Sequence, residues 1–268
     1  MTMLMAILGL SKSTFFRRYS MSKFYLPFAI LMLIMFSGSL FAANLDDFNG
    51  NALSKMWTVR DPAKKATITI AGGKMTMDLK AGADMYIKGV DGGVMLLMNP
   101  PDMANYSIEL LTNPAVKGTQ PPACHIGIVF FNEKDWVYTA WGPYANMDIR
   151  LEDCNNATYR WRDQTKVGVD PAKVAIDKDV YLKVTKTGNK IEFFTKGSAG
   201  DQWVSGGSDE TLGPKYTKGN YQIGIIAKSW GGSVDSTFEF DYFNVPELGT
   251  TAVDSASKIS TTWAELKK

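Results

Sequence analysis

Polar and apolar residues alternate one by one over much of the chain, and residues that favour turns break the alternation at short intervals. ATITIAGGKMTMDL alternates on both sides of Gly72 and Gly73, the pattern of a hairpin. YLKVTKTGNKIEFFTK repeats the device with Gly188 and Asn189 at its tip, and HIGIVFFNEKDWVYTAW predicts a third hairpin turning at residues 132–135. GNYQIGIIAKSW and STFEFDYFNV predict two late strands joined through Gly231 and Gly232. Such strands recur from Ala66 to Val245 without a long amphipathic helix between them. The pattern predicts an all-β sandwich or barrel, and the lack of strand–helix–strand alternation argues against a parallel-sheet enzyme fold.

The two ends of the chain break this pattern. MSKFYLPFAILMLIMFSGSLFAA has a short basic start, an apolar run over residues 24–36 and a small-residue end at Ala42 and Ala43. That is the tripartite pattern of a secretory signal peptide, and the run is short for a membrane span, which needs about 20 residues. The pattern is complete from Met21, so residues 1–43 read as a leader whose first 20 residues precede the true start. Asn44 onward is expected to be secreted, extracellular or periplasmic. At the other end PELGTTAVDSASKISTTWAELKK is rich in Ser and Thr before a short helical segment around Trp263. Residues 44–247 therefore read as one domain, and residues 248–268 as a linker or tail that offers Trp263 to the domain surface or a protein partner.

Charge changes the picture once the leader is set aside. It holds Lys12, Arg17, Arg18 and Lys23 and no acid, so the 29 basic residues fall to 25 against 27 acidic ones, a balance of −2. A nearly neutral domain gives no electrostatic case for a nucleic-acid partner.

The segment from Asp135 to Asp153 carries the most suggestive side chains. With HIGIVFF, WVYTAWG, MDIRLED and ATYRWRD as successive antiparallel strands, Phe131 pairs with Trp136, Tyr138 with Glu152, and Glu152 with Tyr159. One face then holds His125, Gly127, Val129, Trp136, Tyr138, Asp148, Arg150, Glu152, Tyr159 and Trp161. The other holds Ile126, Ile128, Phe130, Val137, Trp141, Ile149 and Leu151 and must be core. A one-residue slip would put three charges on that apolar face, at a cost of several kcal/mol unless each were paired, which selects the register. It leaves Arg160 and Arg162 toward the core side, so the fourth strand is expected at an edge or beside a bulge. The mixed face is expected to be the wet one. It is either a glycan-binding surface, with rings that stack on a sugar and charges that bond its hydroxyls, or an ordinary solvent-facing sheet. The segments 91–104 and 164–178 are long enough to cover it.

Three stretches resemble the concanavalin A-like lectin/glucanase superfamily, in particular the laminin-G-like jelly rolls of secreted bacterial proteins. LDDFNGNALSKMWTV is similar to their opening strand, DVYLKVTKTGNKIEFFTKGSAGDQWV to a hairpin followed by a Trp-containing strand, and NYQIGIIAKSWGGSVDSTFEFDYFNV to their closing pair. The resemblance implies a two-sheet antiparallel jelly-roll β-sandwich with one concave sheet, on which lectins and glucanases of the superfamily bind sugars. It therefore implies a polysaccharide or glycan partner, held by His125, Trp136, Tyr138, Asp148, Arg150, Glu152, Tyr159 and Trp161. It also suggests a structural Ca²⁺ where the first and last strands meet, with Asp46, Asp47 and Asp241 as oxygen ligands. No other cofactor is required.

Catalytic chemistry is sparse. His125 is the single histidine, which excludes multi-histidine metal sites, and no G-x-S-x-G elbow accompanies it. The superfamily's glucanases resemble one another in a Glu-x-Asp-x-x-Glu strand. EFDYFN has Glu239 and Asp241 but Asn244 in the final place, and it lies in the closing strand. Asp148 and Glu152 are four residues apart on one face, roughly 13 Å, too far for the usual acid pair. The expectation is a non-catalytic, lectin-like module. Its alternatives are a hydrolase or lyase whose carboxylates come from separate strands, and a structural or adhesive surface module. Cys124 and Cys154 start and end strands two places apart and are expected to stay unpaired.

Overall fold

A computed structural model describes residues 46–113, 123–144, 148–156, 158–163, 179–230 and 235–249, and only the backbone at 148 and 158–163. The leader, the tail around Trp263 and the segment 164–178 lie outside the described residues. Within them the alternation predicted from the sequence is realised as strands: β1 (Thr58–Arg60), β2 (Ala66–Ala71), β3 (Lys74–Leu79), β4 (Met85–Ile87), β5 (Val90–Asp91), β6 (Val94–Met98), β7 (Asn105–Asn113), β8 (Cys124–Asn132), β9 (Val137–Tyr144), β10 (Asp148–Asn155), β11 (Thr158–Asp163), β12 (Val180–Thr187), β13 (Lys190–Lys196), β14 (Val204–Asp209), β15 (Gln222–Ser229) and β16 (Ser236–Asn244). A single helical turn, α1 (Pro246–Gly249), follows β16. None of the described helices is long and apolar enough to cross a membrane.

Two seven-stranded antiparallel sheets form the sandwich. The first runs β14-β13-β12-β7-β16-β3-β2 and the second β1-β6-β15-β8-β9-β10-β11, while β4 and β5 pair with each other as a separate hairpin. The all-β jelly-roll sandwich is thus the observed architecture. The turns at Gly72 and Gly73 (φ 61° and 76°) and at Gly188 (φ 56°) fall where the sequence put them. β15 and β16 do not pair as one hairpin, because they lie in opposite sheets. A strand that crosses to the other sheet shows the same alternation as one that turns back, so the pattern could not separate the two cases.

The core lies between the sheets. Along β12, Val180, Leu182 and Val184 face inward, and Tyr181, Lys183 and Thr185 stay partly exposed. From the second sheet Ile126, Ile128, Phe130, Val137, Trp141, Ile149 and Leu151 meet them, as expected from their parity. Two polar ties cross the core. Trp141 Nε1 donates to the Phe194 carbonyl at 2.9 Å, and the Tyr106 and Tyr221 hydroxyls meet at 2.8 Å. The first described residue, Asp46, is tied to the last strand by a backbone bridge to Phe243. Glu247 in α1 adds a further tie, accepting from the Ser107 amide and hydroxyl, and Leu248 packs against the core, so the folded unit runs slightly past residue 247.

The middle of the second sheet, β6, β15, β8 and β9, is buried on both sides. β8 is buried at all nine positions. On its outer side Val129, Phe131, Trp136, Tyr138, Ala140, Cys154, Met95, Leu97 and Ile226 form a second apolar cluster, and Met85 and Tyr86 of β4 lie over it. Gly93 makes this close cover possible, since a Cβ there would meet Met85 Cγ at 2.5 Å. Arg60 closes the edge. It grips Asp91 with two bonds of 2.6 and 2.7 Å and lies 5.0 Å over the Phe131 ring and 4.9 Å over the Trp136 ring.

Each of the three pairings expected from the sequence is displaced by two residues. Phe131 pairs with Tyr138, Glu152 with Ala140, and Glu152 with Trp161. A displacement of two keeps every side chain on its expected face. Trp136 is not in a strand at all. It ends the β8–β9 turn with φ 52°, and Asn156, also at positive φ, sits in the turn before β11. β11 is an edge strand, in line with the expectation drawn from Arg160 and Arg162.

Candidate functional site

Four neighbouring strands of the second sheet each bring one polar residue to its outer side: Lys228 from β15, His125 from β8, Tyr138 from β9 and Glu152 from β10. All four are at most 2 % exposed. Lys228 Nζ donates to Glu152 Oε1 at 2.7 Å, to the Tyr138 hydroxyl at 3.0 Å and to the Met85 carbonyl at 3.1 Å, which uses its three protons. Tyr138 donates to the same Glu152 oxygen at 2.8 Å. His125 Nδ1 lies 2.8 Å from Glu152 Oε2.

The electrostatics follow from burial and pairing. Burial alone would push the Glu152 carboxyl up. The Lys228 ammonium and the His125 bond outweigh it and hold the value at about 2. Burial pushes His125 down, against the pull of Glu152, so the imidazole is neutral. An ionised Glu152 can only accept, which puts the His125 proton on Nδ1. Nε2 is buried without a hydrogen-bond partner among the described residues. Asp84, in the covering segment near Lys228 and Glu152, is held above the usual carboxylate range by burial.

The outer face therefore has the expected members but not the expected exposure. His125, Trp136, Tyr138 and Glu152 are 0 %, 3 %, 0 % and 1 % exposed. They cannot stack on or bond a sugar as they stand, because the β4–β5 hairpin lies over them. The cover is residues 83–93, which meets the first segment expected from the sequence only at 91–93, while 164–178 lies outside the described residues. Arg150 is partly exposed. Tyr159 and Trp161 pair through their backbones with Cys154 and Glu152, and Asp148 pairs with Tyr144, while the side chains of these three lie outside the described residues.

The expected cation site does not assemble. Asp46 accepts from Trp57 Nε1 at 2.7 Å with one oxygen and from the Phe48 amide at 2.9 Å with the other. Asp47 caps the Asn49 amide. Among the described residues no three acidic, cysteine or histidine side chains, Asp241 included, come together as a metal site. Cys124 and Cys154 are buried and not joined, and the register puts them at opposite ends of their strands.

An accessible part of this face remains at the end of the sheet where β8 begins and β9 and β15 end. There Tyr144 and Trp230, both partly exposed, have ring centroids 4.9 Å apart. The Arg150 guanidinium lies 4.6 Å over Tyr144. The Lys228 ammonium lies 5.0 Å from the Trp230 ring and joins this corner to the buried cluster. Tyr144, Lys228 and Trp230 were not among the residues expected here from the sequence. Lys228 was visible as a charge sharing a face with Ile226 in the strand QIGIIAKS.

The two-sheet sandwich is similar in fold to several solved structures. It resembles the GH43 protein BlXynB from Bacillus licheniformis (TM-score 0.54, 16 % identity), over 76 % of this chain and 39 % of that one. The chain thus spans about two fifths of the length of that protein. It is also similar to SCLam, a non-specific endo-β-1,3(4)-glucanase of family GH16 (TM-score 0.51, 13 % identity), over 75 % of this chain and 88 % of that one. A functionally unknown protein from Saccharomyces cerevisiae gives a TM-score of 0.52 at 13 % identity, over 71 % and 95 % of the two chains. No protein-family model and no curated protein sequence matches the chain.

Proposed function

We propose that the chain is an exported, non-catalytic carbohydrate-binding module of the laminin-G-like type, and that it holds a glycan at the Tyr144–Arg150–Trp230 corner. The observation that carries this reading is a pair of partly exposed rings 4.9 Å apart beside a guanidinium. Rings offer flat apolar surfaces to the C–H faces of a pyranose, and the guanidinium offers donors to its hydroxyls. The corner stands on buried strands, so its geometry is set before a ligand arrives. The endo-β-1,3(4)-glucanase role of the GH16 neighbour SCLam supports the ligand class.

The test is a polysaccharide panel with reducing ends assayed in the same wells. Binding without release is expected. Trp230→Ala should weaken it about tenfold or more, the loss of about 1.4 kcal/mol of ring contact, with the melting temperature little changed. A panel with no binding, or undiminished binding by Trp230→Ala, overturns the reading.

A hydrolytic reading has one observation in its favour: Asp84 and Glu152 lie near each other with their protonation pushed in opposite directions, as an acid and its partner require. Both Glu152 oxygens are occupied, so this reading needs the hairpin to move. Release of reducing ends that disappears in Glu152→Gln would support it.

A further inference from the structure

At the opposite end of β8 and β15 from the Tyr144–Trp230 corner, the loop 99–104, the β8–β9 and β12–β13 turns and the segment 213–222 enclose a groove of about 1080 Å³. Its size is at the upper end of the range for small-ligand sites. Lys186 lines it and is the unusual residue. In the alternation of β12 it follows Val180, Leu182 and Val184 on the core-facing side, at the mouth between the two sheets.

Lys186 is 9 % exposed. Its ammonium donates to the Gly188 carbonyl at 2.6 Å, and it makes no ion pair among the described residues. The acids of the groove are engaged elsewhere: Asp102 with Lys218, and Glu133 with Arg60. Lys134, also in the lining, adds a second cation without an ion pair among the described residues. A buried ammonium with a single carbonyl for company is unfavourable unless an anion joins it, and burial accordingly pushes the Lys186 pKa down. Around it the lining is rich in carboxamides, and Asn220 Oδ1 is a buried acceptor with no donor among the described residues. The groove lacks a negative charge at Lys186 and a hydroxyl or amide donor at Asn220.

We propose that this groove binds a hexuronic acid residue of a glycan, with its carboxylate on Lys186 and its hydroxyls on Asn189, Asn220 and Gln222. That the anion is borne by a sugar rests on the carbohydrate reading above. That an anion belongs in the groove rests on Lys186 alone. The site shares no residue with the Tyr144–Trp230 corner, so failure at one can be told from failure at the other.

Calorimetric titration of the purified protein with an oligogalacturonide, an alginate oligomer, a neutral galacto-oligosaccharide of the same length and sodium acetate tests the proposal. At least one acidic oligomer should bind ten or more times more tightly than the neutral one. Lys186→Met should erase that preference, Lys186→Arg should keep most of it, and Trp230→Ala should leave it intact. Asn220→Asp, a conservative change at the groove, should weaken the acidic oligomer severalfold and so keeps the test decisive if Lys186→Met does not fold. Equal binding of acidic and neutral sugars, no binding of either acidic oligomer, or an undiminished preference in Lys186→Met overturns the proposal. Acetate matching the oligomers overturns the sugar assignment. Failure of the corner reading would show instead as Trp230→Ala leaving neutral-glycan binding unchanged.

Discussion

Replacing Lys228 with methionine tests whether the buried cluster holds the outer face together. Methionine keeps much of the bulk and removes three hydrogen bonds, to Glu152, Tyr138 and the Met85 carbonyl. Glu152 is then a carboxylate at 1 % exposure with no cation beside it. Its folded value of about 2 against an ordinary 4.5 corresponds to about 3 kcal/mol of stability at neutral pH. Removing one partner of a buried pair costs about 3–5 kcal/mol. The expected loss at pH 7 is about 3–4 kcal/mol, out of the roughly 5–15 kcal/mol typical of a domain. The sign with pH is also set. In the parent protein the folded value lies below the unfolded one, so the Glu152 contribution is complete above about pH 4.5 and fades as the pH falls toward 2. In Lys228→Met burial dominates, and a proton taken up by Glu152 or His125 relieves the site. The variant should therefore gain stability between pH 7 and pH 5 relative to the parent. Urea unfolding followed by tryptophan fluorescence at both pH values measures this. A loss under about 1 kcal/mol, or a pH response identical to the parent's, would refute the reasoning. Adding Glu152→Leu should restore most of the loss, because an apolar side chain replaces the stranded charge.

Three further perturbations follow from the packing. Arg60→Ala removes the two-bond grip on Asp91 and the cover over Phe131 and Trp136; it should cost about 2 kcal/mol and speed amide hydrogen exchange in residues 84–93 more than in β8, whereas uniform acceleration would count against a latch. Gly224→Ala places a Cβ into the Leu96 carbonyl between two central strands; it should cost about 3 kcal/mol or more and lower the thermal midpoint by many degrees, and a midpoint near the parent's would show that β6 and β15 can part. Lys186→Met should raise the thermal midpoint at pH 7. The folded Lys186 value lies below the ordinary 10.5, so the parent carries the full burden below that folded value and sheds it as the pH rises toward 10.5; the gap between variant and parent should narrow over that interval, and a gap that stays constant would mean Lys186 is not strained by burial.

Parity along the strands was legible because it depends on adjacent residues alone. Ile126, Ile128 and Phe130 share a face with Val129 and Phe131 opposite, whatever the strand pairs with, and even a two-residue error in each register left that division intact. The turn at Gly188 was legible for the same reason. What covers a face is set by distant parts of the chain. The hairpin over this one pairs only residues 85–87 with 90–91, too few for alternation to show among glycines.

A local signal for that cover existed all the same. A wet face on a central strand carries polar residues, and the outer side of β8, after His125, instead reads Gly127, Val129 and Phe131. That near-continuous apolar run is the mark of a strand buried on both sides. The charges pointed the other way because an unpaired buried carboxylate is costly. Glu152 avoids the cost through Lys228, more than 70 positions away in sequence. The same reasoning gives Lys186 its weight. Both lysines occupy strand positions where neighbours of the same parity are buried and apolar, Ile226 beside one and Val184 beside the other. Lys228 has its acid within the protein and closes a face. Lys186 has none among the described residues and opens onto a groove, and a cation in that position is better explained by a ligand than by the fold.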